Sequence, residues 1–77
     1  MITDDEEVTR LTDTQRVAFL CWLARERAPF SVEYQALLDE PIAIVMHEKE
    51  RRYTAGIGLT FADACDSAAT YLGWQGA

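Results

Sequence analysis

Residues 56–74, GIGLTFADACDSAATYLGW, carry the strongest local structure signals in this sequence. Thr60 is a good helix N-cap, and Asp63 at the third helical position completes a loose capping pattern. Gly73 supplies the left-handed residue at which helices commonly end, and Trp74 is placed to fold back onto that helix end. The run therefore predicts the end of a strand, a turn and a capped helix. The apolar stripe of this helix, at spacings of four, three and four, is Phe61, Cys65, Ala68 and Leu72.

A second helix is predicted over residues 13–27. Thr12 and Gln15 have the spacing of a capping box, and Pro29 pushes the residue before it out of helical conformations. The residues predicted to face the core, at helical spacing, are Val17, Leu20, Cys21, Ala24 and Ala28. Three further apolar residues lie beyond that face: Phe19, Trp22 and Leu23. The helix is therefore expected either to lie deep in the domain or to present surplus apolar surface to a partner.

Three β-strands are predicted between the helices. Residues 30–36 alternate between apolar and polar side chains, which favours a half-buried strand, and a helix capped by Ser31 is the alternative. Residues 42–48 are apolar on both faces, which is typical of a central strand. Residues 51–59 alternate again, with one face formed by Tyr53, Ala55, Ile57 and Leu59. Gly56 and Gly58 are assigned to the opposite face and are expected to permit a twist or a bulge.

The predicted order is αβββα, an α+β fold in a single small domain. A chain of 77 residues supports one hydrophobic core. Short connections predict a three-stranded antiparallel sheet, and both helices must cover the same face of it. The domain is predicted over residues 12–77, after a flexible acidic tail over residues 1–11. The open face of the sheet is expected to carry Ser31, Glu33, Gln35, Ala43, Val45, His47, Arg52 and Thr54.

Charge and composition narrow the classes of function. The net charge of −6 argues against direct binding to nucleic acid and suits a partner with a basic surface. The longest apolar run, residues 17–24, is shorter than the about 20 residues of a membrane span. The opening residues MITDDEEV lack the parts of a signal peptide, so a cytoplasmic location is predicted. Cys21 and Cys65 are expected to be buried free thiols, with a disulfide as the alternative.

No set of residues predicts catalysis, a metal or a cofactor. The single histidine, His47, lies in a charged segment and is expected to be solvated at the surface. Ser31 and Ser67 have no base near them in the sequence, although a nucleophile needs one within reach. Cys21 and Cys65 fall on different elements from the histidine, without metal-ligand spacing. The sequence therefore predicts a protein that is not an enzyme.

The αβββα order and the run G-x-G-x-T-x-x-x-A-x-x-x-A-A resemble the double-stranded RNA-binding domain. The matching positions are Gly56, Gly58, Thr60, Ala64, Ala68 and Ala69. In that family, lysines at the start of the second helix contact phosphates. The corresponding region of this sequence holds Phe61, Ala62, Asp63, Cys65 and Asp66. The resemblance therefore implies the shape of that domain without its ligand, and family members that have lost RNA binding act as protein-binding or dimerising modules.

The predicted function is that of a non-enzymatic protein-binding module. Small acidic proteins of this kind resemble anti-CRISPR and other phage-encoded anti-defence inhibitors, which implies blocking a basic site on a larger nucleic-acid-handling machine. In that version Asp63, Asp66 and Glu33 are expected to stand in for phosphates, with Trp74 beside them. One alternative is a homodimerising structural or accessory subunit, joined through Phe19, Trp22 and Leu23. Another is a degenerate protein of the double-stranded RNA-binding type that remains associated with nucleic acid.

Overall fold

The computed structural model describes residues 10–74, which fold in the predicted αβββα order. The elements are α1 (Asp13–Glu26), β1 (Phe30–Tyr34), β2 (Ile42–Glu48), β3 (Arg51–Gly58) and α2 (Phe61–Leu72). The strands form one antiparallel sheet in the order β1-β2-β3. The predicted α+β class is confirmed, and β1 is a strand rather than the alternative helix. Most of the predicted tail, residues 1–9, lies outside the described residues.

Both helices begin at the predicted threonine caps. The Thr12 hydroxyl accepts a hydrogen bond from the Gln15 backbone N–H at 3.1 Å, and the Gln15 side chain accepts one from the Thr12 N–H at 2.9 Å. The Thr60 hydroxyl caps α2 by accepting a hydrogen bond from the Asp63 backbone N–H at 3.1 Å. Gly73 ends α2 with a φ of 74°, a conformation that costs glycine little. Trp74 then folds back, and its N–H donates to a carbonyl in the last turn at 2.9 Å.

A β-bulge at Ala55 changes the facing of half of β3. Ile44 pairs with Gly56, whereas the next residue of β2, Val45, pairs with Thr54. Ala55 therefore has no partner in the ladder. Because side chains alternate along a strand, a slip of one residue exchanges the two faces. The prediction of simple alternation through β3 is wrong beyond this point.

Beyond the bulge, Gly56 and Gly58 face α2, so the backbone of β3 contacts the backbone of this helix. A Cβ atom placed on Gly56 would lie 2.4 Å from the Ala68 nitrogen and 2.5 Å from the Ala64 oxygen. A Cβ atom on Gly58 would lie 2.6 Å from the Ala64 nitrogen. No side chain fits at either position, so glycine alone permits this close approach. Ile57, between them, faces the opposite side of the sheet and is exposed.

The inward face of α1 is only partly the predicted one: Ala28 is buried in the core and Leu20 packs against it, as predicted. Phe19 and Leu23 are fully buried and belong to the core with Ile44 and Met46 of β2. Val17 is 61% exposed, and Cys21 and Ala24 are also exposed. The α1 helix is apolar on two sides, so helical periodicity does not choose between them. The side with the larger Phe and Leu side chains buries more apolar area and faces the core.

The inward face of α2 is made of small residues. Ala64, Cys65, Ala68 and Ala69 are buried, while Phe61, predicted for the core, is exposed. Both cysteines are free thiols, but only Cys65 is buried as predicted, and its burial raises its pKa to about 11. Within residues 10–74, neither helix has the length and apolar content needed to cross a membrane.

Gly56→Ala should destabilise the domain, because the added methyl group meets backbone atoms of α2 that cannot rotate away. Overpacking of this kind costs about 1–3 kcal/mol, and thermal or urea denaturation measures it. Ile57→Ala, one residue along on the exposed face, is the control and should have a smaller effect. Equal stability of Gly56→Ala and the unchanged protein would contradict the close helix–strand contact.

Candidate functional site

Asp66, expected to be exposed as a stand-in for a phosphate, instead links the two helices. Its carboxylate is fully buried and accepts hydrogen bonds from Nε and Nη2 of Arg16, each at 2.9 Å. Nε of Arg10 lies 3.4 Å from the same carboxylate. The hydrogen bond to Asp66 raises the pKa of Arg16. The prediction that Asp66 is exposed is wrong, since a two-pronged arginine contact holds this carboxylate inside the domain.

Asp63 remains partly exposed but is also paired. Its carboxylate accepts a hydrogen bond from Nη1 of Arg10 at 2.9 Å, and this contact holds the pKa of Asp63 below its usual range. Arg10 therefore bridges both predicted partner-binding acids of α2. Leu11 packs against the core. The last two residues of the predicted tail thus contact the domain directly.

The open face of the sheet carries a hydrogen-bonded chain of side chains. Glu33 pairs with Arg52 of β3 and accepts a hydrogen bond from the Ser31 hydroxyl at 3.2 Å. The Ser31 oxygen lies 2.9 Å from Nε2 of His47. The Arg52 contact, followed by that of Ser31, lowers the pKa of Glu33. His47 is therefore half-buried and bonded, which corrects the prediction of a solvated histidine.

The Ser31–His47 contact was missed because the two residues are far apart in the sequence. Ser31 pairs with Val45 across the sheet, and alternation places His47 on the same face as Val45. The distance suits a nucleophile and a base, but such a pair also needs a group that orients the histidine ring. The nearby carboxylate of Glu33 bonds the Ser31 hydroxyl rather than the His47 ring. In a catalytic triad the carboxylate bonds the histidine ring, so the connectivity of these three residues differs from that of a triad, and the contact links β1 with β2.

The described residues do not assemble a metal site. Within residues 10–74, no three His, Cys, Asp or Glu side chains come together as metal ligands. Cys21 is exposed on α1, Cys65 is buried in α2, and His47 lies on the open face of the sheet.

The apolar residues predicted to contact a partner through α1 belong to the core. Phe19 and Leu23 have no exposed surface. The Trp22 ring is half-buried and stacks on Phe19 at a centroid distance of 6.0 Å. Trp74 is also half-buried, with its ring 5.5 Å from that of Phe19. The prediction that Phe19 and Leu23 form an apolar surface is wrong, because the aromatic cluster around Phe19 closes the core.

Exposed apolar side chains are instead concentrated on β1 and the turn that follows it. Leu37 is 99% exposed and Tyr34 is 70% exposed, while Val32 and Leu38 are about half exposed. We call these four residues the β1 edge surface. The other exposed large apolar residues are Val17 on α1, a group at the junction of β3 and α2 (Ile57, Leu59 and Phe61), and Tyr71 on α2. A group of exposed apolar side chains along one edge is typical of an interaction site.

The backbone of β1 is also open along this edge. Just after β1, the Gln35 N–H donates to the Pro41 carbonyl at 2.7 Å, and just before β1, the Pro29 carbonyl accepts from the His47 N–H at 2.9 Å. Positions 29 and 35 therefore bond toward β2, and by alternation so do the odd-numbered residues between them. Antiparallel ladders alternate, so Phe30, Val32 and Tyr34 direct their N–H and C=O groups away from β2. No other strand of residues 10–74 lies beside them. Such an edge is a template for another strand.

Comparisons of the chain with protein-family models, with curated proteins and with solved structures give no match. The functional argument therefore rests on the geometry of the described residues.

Asp66→Ala should destabilise the protein by roughly 3 kcal/mol, since it leaves Nε and Nη2 of Arg16 without the buried carboxylate that accepts their hydrogen bonds. Urea denaturation measures the change. Asp13→Ala is a matched control, because Asp13 contacts the same Arg16 guanidinium at 2.9 Å but is fully exposed. Asp13→Ala should leave stability nearly unchanged, and equal losses for the two variants would show that burial of Asp66 is unimportant.

Acid should weaken the fold through Glu33 and Asp63. Both carboxylates have pKa values below their usual 4.5 and 3.8. A carboxylate whose pKa is lower in the folded than in the unfolded protein stabilises the fold at pH values above its pKa in the unfolded protein. This stabilisation is lost as the pH falls through its pKa in the folded protein. The free energy of unfolding should therefore decline below pH 4.5. Glu33→Gln should make this decline shallower, and Arg52→Gln should do the same because it removes the main cause of the shift.

Proposed function

We propose that this chain is a non-enzymatic protein-binding module that contacts its partner through the β1 edge surface. The observation that carries the proposal is the coincidence of exposed apolar side chains and outward-facing backbone groups along β1. Burial of these apolar side chains against a partner is favourable, because it removes them from water. The backbone groups provide hydrogen bonds to an added strand, a common mode of peptide recognition.

The rim of this surface is acidic. Asp39 and Glu40 follow Leu38 directly, and both are exposed. Among residues 10–74, neither forms an ion pair. An apolar surface with acidic neighbours is complementary to an apolar patch flanked by lysines or arginines, since opposite charges steer and orient two partners.

The more specific version of this proposal is an inhibitor that blocks a basic site on a nucleic-acid-handling machine, as anti-CRISPR proteins do. The acids first assigned to phosphate mimicry, Asp63, Asp66 and Glu33, are paired with arginines of the same chain. Among residues 10–74, Asp39 and Glu40 form no ion pair, and they directly follow Leu38 of the apolar surface. We therefore assign the contact with a basic partner to these two residues.

The surface of α2 favours protein over duplex RNA as the ligand. The resemblance to the RNA-binding domain implies a phosphate contact at the start of this helix. That region exposes Leu59 and Phe61, and its acid Asp63 is held by Arg10. Apolar side chains gain nothing from phosphates, which require positive charge. The proposal therefore assigns this αβββα domain a protein ligand.

Tyr34→Glu should abolish partner binding, because it places a charge in the centre of the β1 edge surface. Tyr71→Glu is the matched control, since Tyr71 is the same residue type at 64% exposure on α2. Tagged forms of the unchanged protein and both variants can be used for affinity capture from native host cells, with cross-linking to map the contact. We expect one partner retained by the unchanged protein and Tyr71→Glu, cross-linked within residues 30–40, and lost with Tyr34→Glu.

Equal capture by all three forms, or cross-links confined to α1 and α2, would contradict the assignment of binding to this surface. Circular dichroism on each variant checks that the fold is intact.

A further inference from the structure

The edge of β1 is complementary to itself. We propose that a second copy of this chain pairs with it in an antiparallel β1–β1 contact, with the two-fold axis at Val32, forming one continuous six-stranded sheet. The inference rests on the proposed function, because it names a second copy as a protein that the β1 edge surface binds. It differs from the dimer predicted from the sequence, whose contact residues Phe19 and Leu23 are buried.

Backbone hydrogen bonding limits the register of such a pair. Only residues whose N–H and C=O groups point outward can bond across the new interface, and these are Phe30, Val32 and Tyr34. A symmetric antiparallel pair must match outward-facing residues with one another. The two-fold axis can therefore pass at Ser31, Val32 or Glu33 within the strand.

Charge and overlap select the register at Val32. An axis at Glu33 would bring two carboxylates into a directly opposed pair, with Cα atoms about 4.5 Å apart, and opposed like charges are destabilising. An axis at Ser31 would overlap only part of the strand. The axis at Val32 pairs all five residues of β1, sets Phe30 against Tyr34 of the second copy, and places Glu33 opposite a serine.

The side chains of this register form a continuous apolar row. Phe30, Val32 and Tyr34 pair with Met46, Ile44 and Ile42 of β2, so they lie on the side of the sheet that the helices cover. In one copy Val32 and Tyr34 extend beyond the helices and are exposed. In the pair, Val32 is covered by Val32 of the second copy, and Tyr34 is covered by Phe30 of the second copy. Aromatic residues therefore meet at both ends of the row. Cross-strand contacts of this kind stabilise antiparallel sheets.

Charges at the two ends of the interface are also complementary. The chain that follows Tyr34 carries Asp39 and Glu40, and the chain that precedes Phe30 carries Arg25, which is exposed. Arg27 is already paired with Glu48 of its own chain at 3.4 Å. An antiparallel pair brings the end of one β1 to the start of the other. The acidic turn of each copy therefore lies at the same end of the interface as Arg25 of the second copy, which favours this pairing over a parallel one.

The other edge of the sheet is less suited to pairing. Along β3, the Ile57 N–H donates to the Ser67 hydroxyl of α2 at 3.3 Å, so the helix already occupies part of that edge. Among the described strands, β1 is the one whose outer edge has no such cover. The proposed contact therefore uses the edge that the fold leaves open.

Analytical ultracentrifugation over a range of concentrations tests the pair. The unchanged protein should sediment with twice the 8.7 kDa chain mass at high concentration, and Val32→Lys should weaken self-association at least tenfold by opposing two ammonium groups. Val17→Lys is the matched control, because Val17 is an exposed valine on α1, and it should remain dimeric. An unchanged dimer in Val32→Lys, with both variants folded, would overturn the proposal.

Engineered cysteines test the register. In a Cys21→Ser background, Val32→Cys should form a disulfide between copies on mild oxidation, since a directly opposed hydrogen-bonded pair has Cα atoms about 5.5 Å apart, within the disulfide range. Tyr34→Cys should cross-link far less, because it faces Phe30. A stronger cross-link at Tyr34→Cys would overturn the register.

A monomer at every concentration would overturn the inference while leaving the proposed function testable. In that case the loss of partner capture in Tyr34→Glu still measures binding of a different protein to the same surface. The two failures are therefore distinguishable.

Discussion

The architecture depends on the close approach of α2 to β3. The bulge at Ala55 turns Gly56 and Gly58 toward the helix, and α2 presents Ala64 and Ala68 to them. With no side chains between the two backbones, the helix lies directly on the strand. This placement leaves the helices over β2 and β3, and it leaves β1 extending beyond them with its outer edge uncovered.

A buried ion pair then fixes the first helix against the second. Asp66 has no exposed surface, and Arg16 reaches it from α1. Arg10 joins the same carboxylate and adds Asp63, which fastens the start of the described chain to α2. These contacts neutralise the acids that appeared available for a basic partner, so the acidic character of the chain is expressed elsewhere, at residues such as Asp39 and Glu40.

The predictable part of the structure is the part that short stretches encode. Thr12, Thr60 and Gly73 mark the helix ends correctly, alternation locates β1 and β3, and the run that is apolar on both faces locates β2. The candidate surface was partly visible, because alternation placed Val32 and Tyr34 together on one face. The sequence nevertheless points to α1 as the apolar interaction surface, because this helix is apolar on two sides and Phe19, Trp22 and Leu23 lie beyond its predicted core face. Exposure of Val32 and Tyr34 depends on how far the helices extend over the sheet, which periodicity does not report.

Local signals establish the order of elements, their approximate bounds and the α+β class, because caps, turns and side-chain patterns act within a few neighbouring residues. The inward face of α1, the inverted half of β3 and the pairing of the acids among residues 10–74 are set only in the folded domain. Those outcomes follow from contacts between residues far apart in the chain: Arg16 with Asp66, Gly56 with Ala68, and Ser31 with His47. Each depends on the position of whole elements, and that position is set by packing and charge pairing across the domain.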